Sequence, residues 1–304
     1  MKAAAISSYG PPDVLQVMEF EDPQAGKGQV RVRIKSAGVQ PFDCAVRSSG
    51  WAPPGMTIQL PQILGNEFAG VVDQVGNDVS DFSVGSEVIG WALMASYAEY
   101  VVVSPEQLVH KPHDMPWKEA GAITASGQTA HTALRELGVS QGDTVLIHAA
   151  AGGVGTFAVQ LAKAWGATVI GTASERNHDY LRSIGAIPVT YGDGLAERVR
   201  ALAPNGVDAA LDAAGGDALR VSVDLVARKE RIGTIVDFEL AAQLGVRAIR
   251  SQRSAYRLAE VVELYMQRKL HIHISRSFSL QQAADAHREV ESGHVRGKVV
   301  LLMD

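Results

Sequence analysis

The 304 residues are enough for about two domains, and 46% hydrophobic against 20% charged residues is ordinary for a soluble globular protein. A formal net charge of −5 with no basic block argues against nucleic acid or an anionic membrane as a partner. The single cysteine, Cys44, excludes an intrachain disulfide framework and any structural zinc site built from four thiolates.

The chain opens Met-Lys-Ala-Ala-Ala-Ile and then meets Ser, Tyr, Gly and two prolines, too short an apolar run for a signal segment. Residues 2–6, 29–37, 68–75, 87–90 and 97–103 are short β-branched runs separated by Gly, Pro, Asp and Asn. They predict a compact β domain, barrel-like or a sandwich, over residues 1–110. The apolar stretch 84–103 is interrupted by Glu87, Ser96 and Glu99, so it is not a membrane span. A cytoplasmic protein is expected. Near Pro116 the character changes, and 118–137 reads as one helix. From 144 onward strands at 144–148, 168–171, 187–190, 207–212 and 231–236 alternate with helices at 153–165, 176–184, 194–202 and 217–227. Such alternation predicts a parallel sheet covered on both faces. About six strands are then complete by Val236, so the last stretch, with a helix at 256–268, a strand at 272–278, a helix at 280–291 and a strand at 297–303, is expected to rejoin the first domain.

Within this alternation Ala149-Ala150-Ala151-Gly152-Gly153-Val154-Gly155 joins the first strand to the first helix. Strand, glycine turn, helix and second strand fall in the order of a dinucleotide-binding unit, with Ala149, Gly152 and Gly155 in the three small-residue slots. Residues without bulk let the main chain approach a pyrophosphate, and the first free N–H groups and the dipole of the helix point at it. Ala150, Gly152, Gly153, Val154 and Gly155 are therefore candidate coenzyme contacts; a tight turn that uses glycine for steric reasons only is the alternative.

Three stretches resemble the zinc-independent, zeta-crystallin-like quinone oxidoreductase branch of the medium-chain dehydrogenase/reductases. They are Gly65-Asn66-Glu67-Phe68-Ala69-Gly70-Val71-Val72, His148 to Gly155, and Gly293-His294-Val295-Arg296-Gly297-Lys298-Val299-Val300. The resemblance implies an α/β protein with a doubly wound parallel Rossmann sheet domain and a mainly β, barrel-like (GroES-like) catalytic domain. The catalytic domain would comprise 1–125 and 251–304, around an NADP-binding domain at 126–250. In zinc-bearing members of the superfamily a Cys, a His and a further Cys or acid hold the metal; here those slots fall at Gln40, Asn66 and near Ala125. Zinc needs soft or imidazole donors, so no metal is expected.

NAD enzymes place an acid at the end of the second strand, a slot that falls here on Ala173. Thr172, Ser174 and Arg176 beside it favour the 2′-phosphate of NADPH, which an arginine fork can grip. Glu175 either points away as a first-turn helix acid or holds a 2′-hydroxyl. The resemblance further implies Tyr191 beside the adenine ribose phosphate, Thr129 near the nicotinamide mononucleotide, Ala214 and Ile235 along the coenzyme, and Lys298 or Arg296 at the nicotinamide end.

Without zinc to polarise an oxygen, the substrate must itself be electrophilic, which points to a quinone or an α,β-unsaturated carbonyl compound. Gln40 and Tyr97 are the candidate catalytic groups, and Phe42, Trp51 and Trp91 candidate walls for a flat substrate. Two alternatives stand: an enoyl-thioester reductase, and a non-catalytic NADPH-binding sensor or crystallin-like protein. The resemblance also implies a homodimer, joined near 236–249.

Overall fold

The computed structural model describes residues 1–52 and 55–303. In chain order its strands are β1 (Lys2–Ile6), β2 (Leu15–Glu19), β3 (Val30–Val39), β4 (Gln62–Ile63), β5 (Phe68–Val75), β6 (Glu87–Gly90), β7 (Tyr100–Val103) and β8 (Leu108–His110). Then follow β9 (Thr144–Ile147), β10 (Thr168–Thr172), β11 (Ile187–Val189), β12 (Ala209–Asp212), β13 (Ile232–Thr234), β14 (Arg247–Ala248), β15 (Ile274–Ser279) and β16 (Lys298–Leu302). The helices are α1 (Pro41–Ser49), α2 (Trp117–Ala120), α3 (Thr124–Glu136), α4 (Gly153–Ala164), α5 (His178–Ser183), α6 (Leu195–Leu202), α7 (Asp217–Leu225), α8 (Phe238–Leu244), α9 (Ala255–Met266) and α10 (Ala283–Glu291).

Two compact units emerge. The first holds Met1–Ala125, Ser254–Ala259 and the chain from Ile272 on. Its larger sheet runs β15-β16-β3-β5-β6-β8, with β7 also on β3; its smaller one runs β2-β1-β4. Among the described residues only β15 and β16 pair in parallel there; the other ladders are antiparallel. Ile6, Ile34, Leu64, Phe68, Val88 and Leu301, from distant parts of the chain, close one apolar core. Burying each such side chain contributes roughly 1.5–3 kcal/mol.

The second unit holds Ser126–Arg253 and Glu260–His271. Its six strands are all parallel, in the order β11-β10-β9-β12-β13-β14. The order reverses between β9 and β12, the switch point where open α/β sheets bind ligands. Leu146, Ile170, Val199, Leu219 and Ile232 fill a core between this sheet and its helices. The α/β class, with a doubly wound parallel sheet and a mainly β partner domain, is as the sequence indicated.

Three local expectations differ. The helix expected over 118–137 is broken into α2 and α3, because Gly121 between them backs onto β3; a Cβ there would stand 2.4 Å from Ser36 Oγ. The sheet is not complete at Val236: its sixth strand, β14, comes after α8 and has two exposed residues, too short for any periodicity to mark it. Residues 1–110 are mainly β, as expected, and also hold α1, which was not expected. Among the described residues no helix is long and apolar enough to cross a membrane.

Candidate active site

The glycine turn sits at the carboxyl end of β9. Ala149 adopts φ +51°, a left-handed backbone that costs a residue with a Cβ roughly 1–2 kcal/mol. Its N–H donates to Thr172 Oγ1 at 3.1 Å and that of Ala150 to the Thr172 carbonyl at 3.0 Å, so the end of β10 holds the bend. Gly155 has no room for anything larger: a Cβ would lie 2.2 Å from the Ala149 carbonyl oxygen and 2.6 Å from Ala150 Cα. This packing draws the start of α4 tight against the bend, where the leading N–H groups of a helix have no acceptor within it. Residues 152–154 are partly exposed, as an anion site requires, while Ala150 is buried behind them.

The other coenzyme candidates of this unit divide by role. Ser174 and Arg176 lie just past β10, the guanidinium exposed, and Ser174 Oγ accepts a long 3.4 Å bond from Asn177. Glu175 is exposed too. Tyr191, beyond β11, is 60% exposed. Thr129 is half-buried on α3. Thr172, in contrast, is 2% exposed with its hydroxyl on Ala149, so it supports the turn from beneath and does not face a ligand.

Sequence reasoning missed what organises the ends of β12 and β13. Asp212 is completely buried; Oδ1 accepts the N–H groups of Ala214 and Gly215, both at 2.8 Å, and Oδ2 accepts the Thr234 hydroxyl at 2.7 Å. Thr234 Oγ1 in turn accepts Val236 N–H and Asp237 N–H, and Ile235 N–H reaches the Asp212 carbonyl. The loops carrying Ala214 and Ile235 are thus pinned by one carboxylate. An acid closing a strand before Ala-Ala-Gly-Gly was the available signal. His148 follows β9 directly, with Nε2 on Ser222 Oγ at 2.9 Å; burial pulls its pKa down to about 4 against the opposing pull of Asp212.

The first unit brings the three zinc-ligand slots together around two buried acids. Gln40 Nε2 donates to Glu67 Oε1, and Ala125 N–H donates to Glu67 Oε2 at 2.6 Å. Asn66 Nδ2 donates to Asp43 Oδ1 at 3.0 Å. All three turn an N–H toward a carboxylate. Asp43 Oδ2 also accepts Gln40 N–H at 2.9 Å and the Tyr97 hydroxyl at 2.8 Å. Burial raises the Asp43 pKa to about 6, its hydrogen bonds opposing and the charge of Glu67 adding. Asp43 belongs to α1, and Gln40-Pro41-x-Asp43, with proline at the first helical position and an acid at the third, was a legible start signal.

Two expectations are corrected here. Tyr97 is not placed to deliver a proton: it is wholly buried, its O–H is directed onto Asp43, and burial with the nearby acids raises its pKa well above the usual phenol. Lys298 does not extend toward a coenzyme; its ammonium is 3% exposed and lies 3.0 Å from Glu67 Oε1. Of the aromatic candidates, Phe42 and Trp51 meet edge to face at 5.7 Å, with Trp51 43% exposed. Trp91 is half-buried and receives Gln107 Nε2 on its carbonyl.

The alcohol dehydrogenase GroES-like domain model matches residues 26–113, and the zinc-binding dehydrogenase model residues 185–301. A quinone oxidoreductase of Pseudomonas aeruginosa is 32% identical, over 99% of this chain and 99% of the relative. Among solved structures, the quinone oxidoreductase from Coxiella burnetii matches with a TM-score of 0.88 at 36% identity, covering 100% of this chain and 99% of that one. Escherichia coli quinone oxidoreductase complexed with NADPH matches with a TM-score of 0.88 at 25% identity, covering 99% and 100%.

Proposed function

The chain belongs to the quinone oxidoreductase branch of the medium-chain dehydrogenase/reductases, and from that premise we propose that it reduces a quinone or an α,β-unsaturated carbonyl compound with NADPH and without zinc. The reading is carried by the inward N–H groups of Gln40, Asn66 and Ala125. A metal ion requires lone pairs, and a carboxamide nitrogen or backbone N–H aimed at a carboxylate offers none. With no Lewis acid, only a substrate that accepts hydride unaided is suited to the site. The dihydronicotinamide supplies that hydride when bound. The N–H groups at the start of α4 hold the diphosphate, Arg176 and Ser174 grip the 2′-phosphate, and Glu175 turns outward. Phe42 and Trp51 flank a flat ring. A second copy of the chain pairs along the sheet edge at β14, which sedimentation would detect.

The test is absorbance at the nicotinamide band with NADPH and 1,2-naphthoquinone or 2-cyclohexenone. Turnover with either, in protein that contains no stoichiometric zinc, is expected. Arg176→Ala should raise the KM for NADPH by roughly tenfold or more, the worth of a charge-assisted bond, and leave that for NADH unchanged. Binding without turnover across a quinone and enone panel would make the protein a non-catalytic binder, and turnover of crotonyl-CoA alone would make it a thioester reductase.

A further inference from the structure

Past β11 the chain turns through 190–193 toward α6, and one guanidinium fastens that turn. Arg198 Nη2 donates to the Thr190 carbonyl at 2.9 Å and Nη1 to the Asp193 carbonyl at 2.7 Å, while Nε reaches Thr190 at 3.3 Å. Between these two ends the carbonyl oxygens of Tyr191 and Gly192 lie 3.4 and 3.3 Å from Nη2. Four carbonyl oxygens thus converge on a single cation. Partial negative charges gathered in this way repel one another unless a positive charge lies among them, so the shape of the loop depends on Arg198.

The anchor is rigid. Arg198 belongs to α6, whose Leu195 and Val199 are buried in the core of the parallel sheet. Gly194 precedes the helix at φ +73°, and a Cβ on it would stand 3.1 Å from Arg198 Nη1. Glycine there takes a left-handed backbone and leaves the guanidinium its path. Lysine is no equivalent: an ammonium is a point donor, whereas the planar fork of arginine spans carbonyls at both ends of the turn.

The position of the loop decides what the clamp is for. β10 and β11 end on the same rung, Thr172 opposite Val189, and Ala173 N–H continues onto the Val189 carbonyl at 3.0 Å. Ser174 and Tyr191 each lie two residues beyond that rung, at the end of the second strand where dinucleotide folds hold the adenosine ribose. Arg198 takes the backbone of Tyr191 and leaves its side chain 60% exposed.

We propose that Arg198 is a positioning residue for NADPH: by fastening 190–193 it sets the Tyr191 ring against the adenosine end of the coenzyme, beside Ser174 and Arg176. The inference rests on the coenzyme reading above. A ring held in place before the ligand arrives spares the cost of ordering the loop at binding.

The informative variant is Arg198→Lys, which keeps the charge, and with it any long-range attraction for a phosphate, but loses the fork. Its Kd for NADPH, read by coenzyme fluorescence, should rise about fivefold, the worth of one aromatic contact. The loss should fall on the KM for NADPH and not on kcat with 1,2-naphthoquinone. Tyr191→Ala should weaken binding as much, and adding Arg198→Lys to it should bring no further loss, because both act through one ring. An equal loss for NADH places the ring on the adenosine, and a loss for NADPH alone places it on the 2′-phosphate. An unaltered Kd in either variant, or losses that multiply, would overturn the proposal. A second readout needs no coenzyme: chymotrypsin cleaves after Tyr191 only when the loop opens. The parent protein should resist, and Arg198→Lys should be cut there about tenfold faster for want of a charge-assisted bond. Equal cutting rates would overturn the clamp. A parent protein that resists cutting yet binds no NADPH would overturn the coenzyme reading, and the role of Tyr191 with it.

Discussion

Replacing His287 by phenylalanine should remove much of the acid sensitivity of the first unit. His287 lies on α10, fully buried, its ring edge-on to Tyr97 at 5.9 Å, and among the described residues neither ring nitrogen has a hydrogen-bond partner. Burial, with the Arg47 charge adding, lowers its pKa to about 3. The unfolded chain holds the same ring near 6.5. Because the folded value is the lower, the unfolded state takes up the proton first; the contribution is complete above 6.5 and drains away as pH falls toward 3. At pH 4.5, about two units below the unfolded value, the loss is about 2.7 kcal/mol at ~1.36 kcal/mol per unit. Asp43, with its raised pKa of about 6, works the other way below 6, but it is present in both proteins and cancels in the comparison. Urea unfolding at pH 7.5 and 4.5 measures the difference. The parent should lose about 2.7 kcal/mol more than His287→Phe between the two, or roughly 5–10 °C in Tm. Equal losses would show that the ring is not buried neutral, and the account of α10 packed on Tyr97 would fail.

Gly155→Ala should weaken NADPH binding by about thirtyfold or more, read by coenzyme fluorescence, because its Cβ must displace the Ala149 and Ala150 backbone; an unchanged Kd would deny the turn its assigned role. Ala149→Gly should stabilise the fold by roughly 0.5–1 kcal/mol in denaturant, the left-handed strain relieved less the entropy that glycine adds to the unfolded chain. Cys44 is buried with its thiol pKa pushed far up by desolvation, so a disulfide reagent should leave it unmodified until the protein unfolds.

The parallel sheet was readable because its signals are local. Buried β-branched runs, a small-residue turn and helical spacing recur within about thirty residues of each other, and the strand order follows from right-handed crossovers. The first unit was less readable. Pro41 and Asp43 marked the start of α1, but the β-branched runs around them dominated the reading. The split between α2 and α3 is a tertiary effect, visible only once Gly121 meets Ser36. Gln40 was identified by its slot, yet what fixes it comes from Glu67, 27 positions on, and through it from Lys298, another 231 away. No window along the chain contains such a set. Tyr97 and Lys298 misled for the same reason: their chemistry suggested a role in contact with ligand, while register and burial turned both onto internal acids.

The placement of β16 has a consequence for how the molecule is made. This strand lies inside the larger sheet, between β15 and β3, yet its Lys298 is translated 231 residues after the Glu67 it pairs with. At roughly 5–20 residues per second, the β3 edge awaits its neighbour for on the order of 10–50 s while the parallel sheet can already form. During that interval a nascent chain carries an open hydrogen-bonding edge and an acid without its counter-ion. Expression conditions or chaperones that shield nascent chains should therefore influence yield more than they influence the stability of the finished protein.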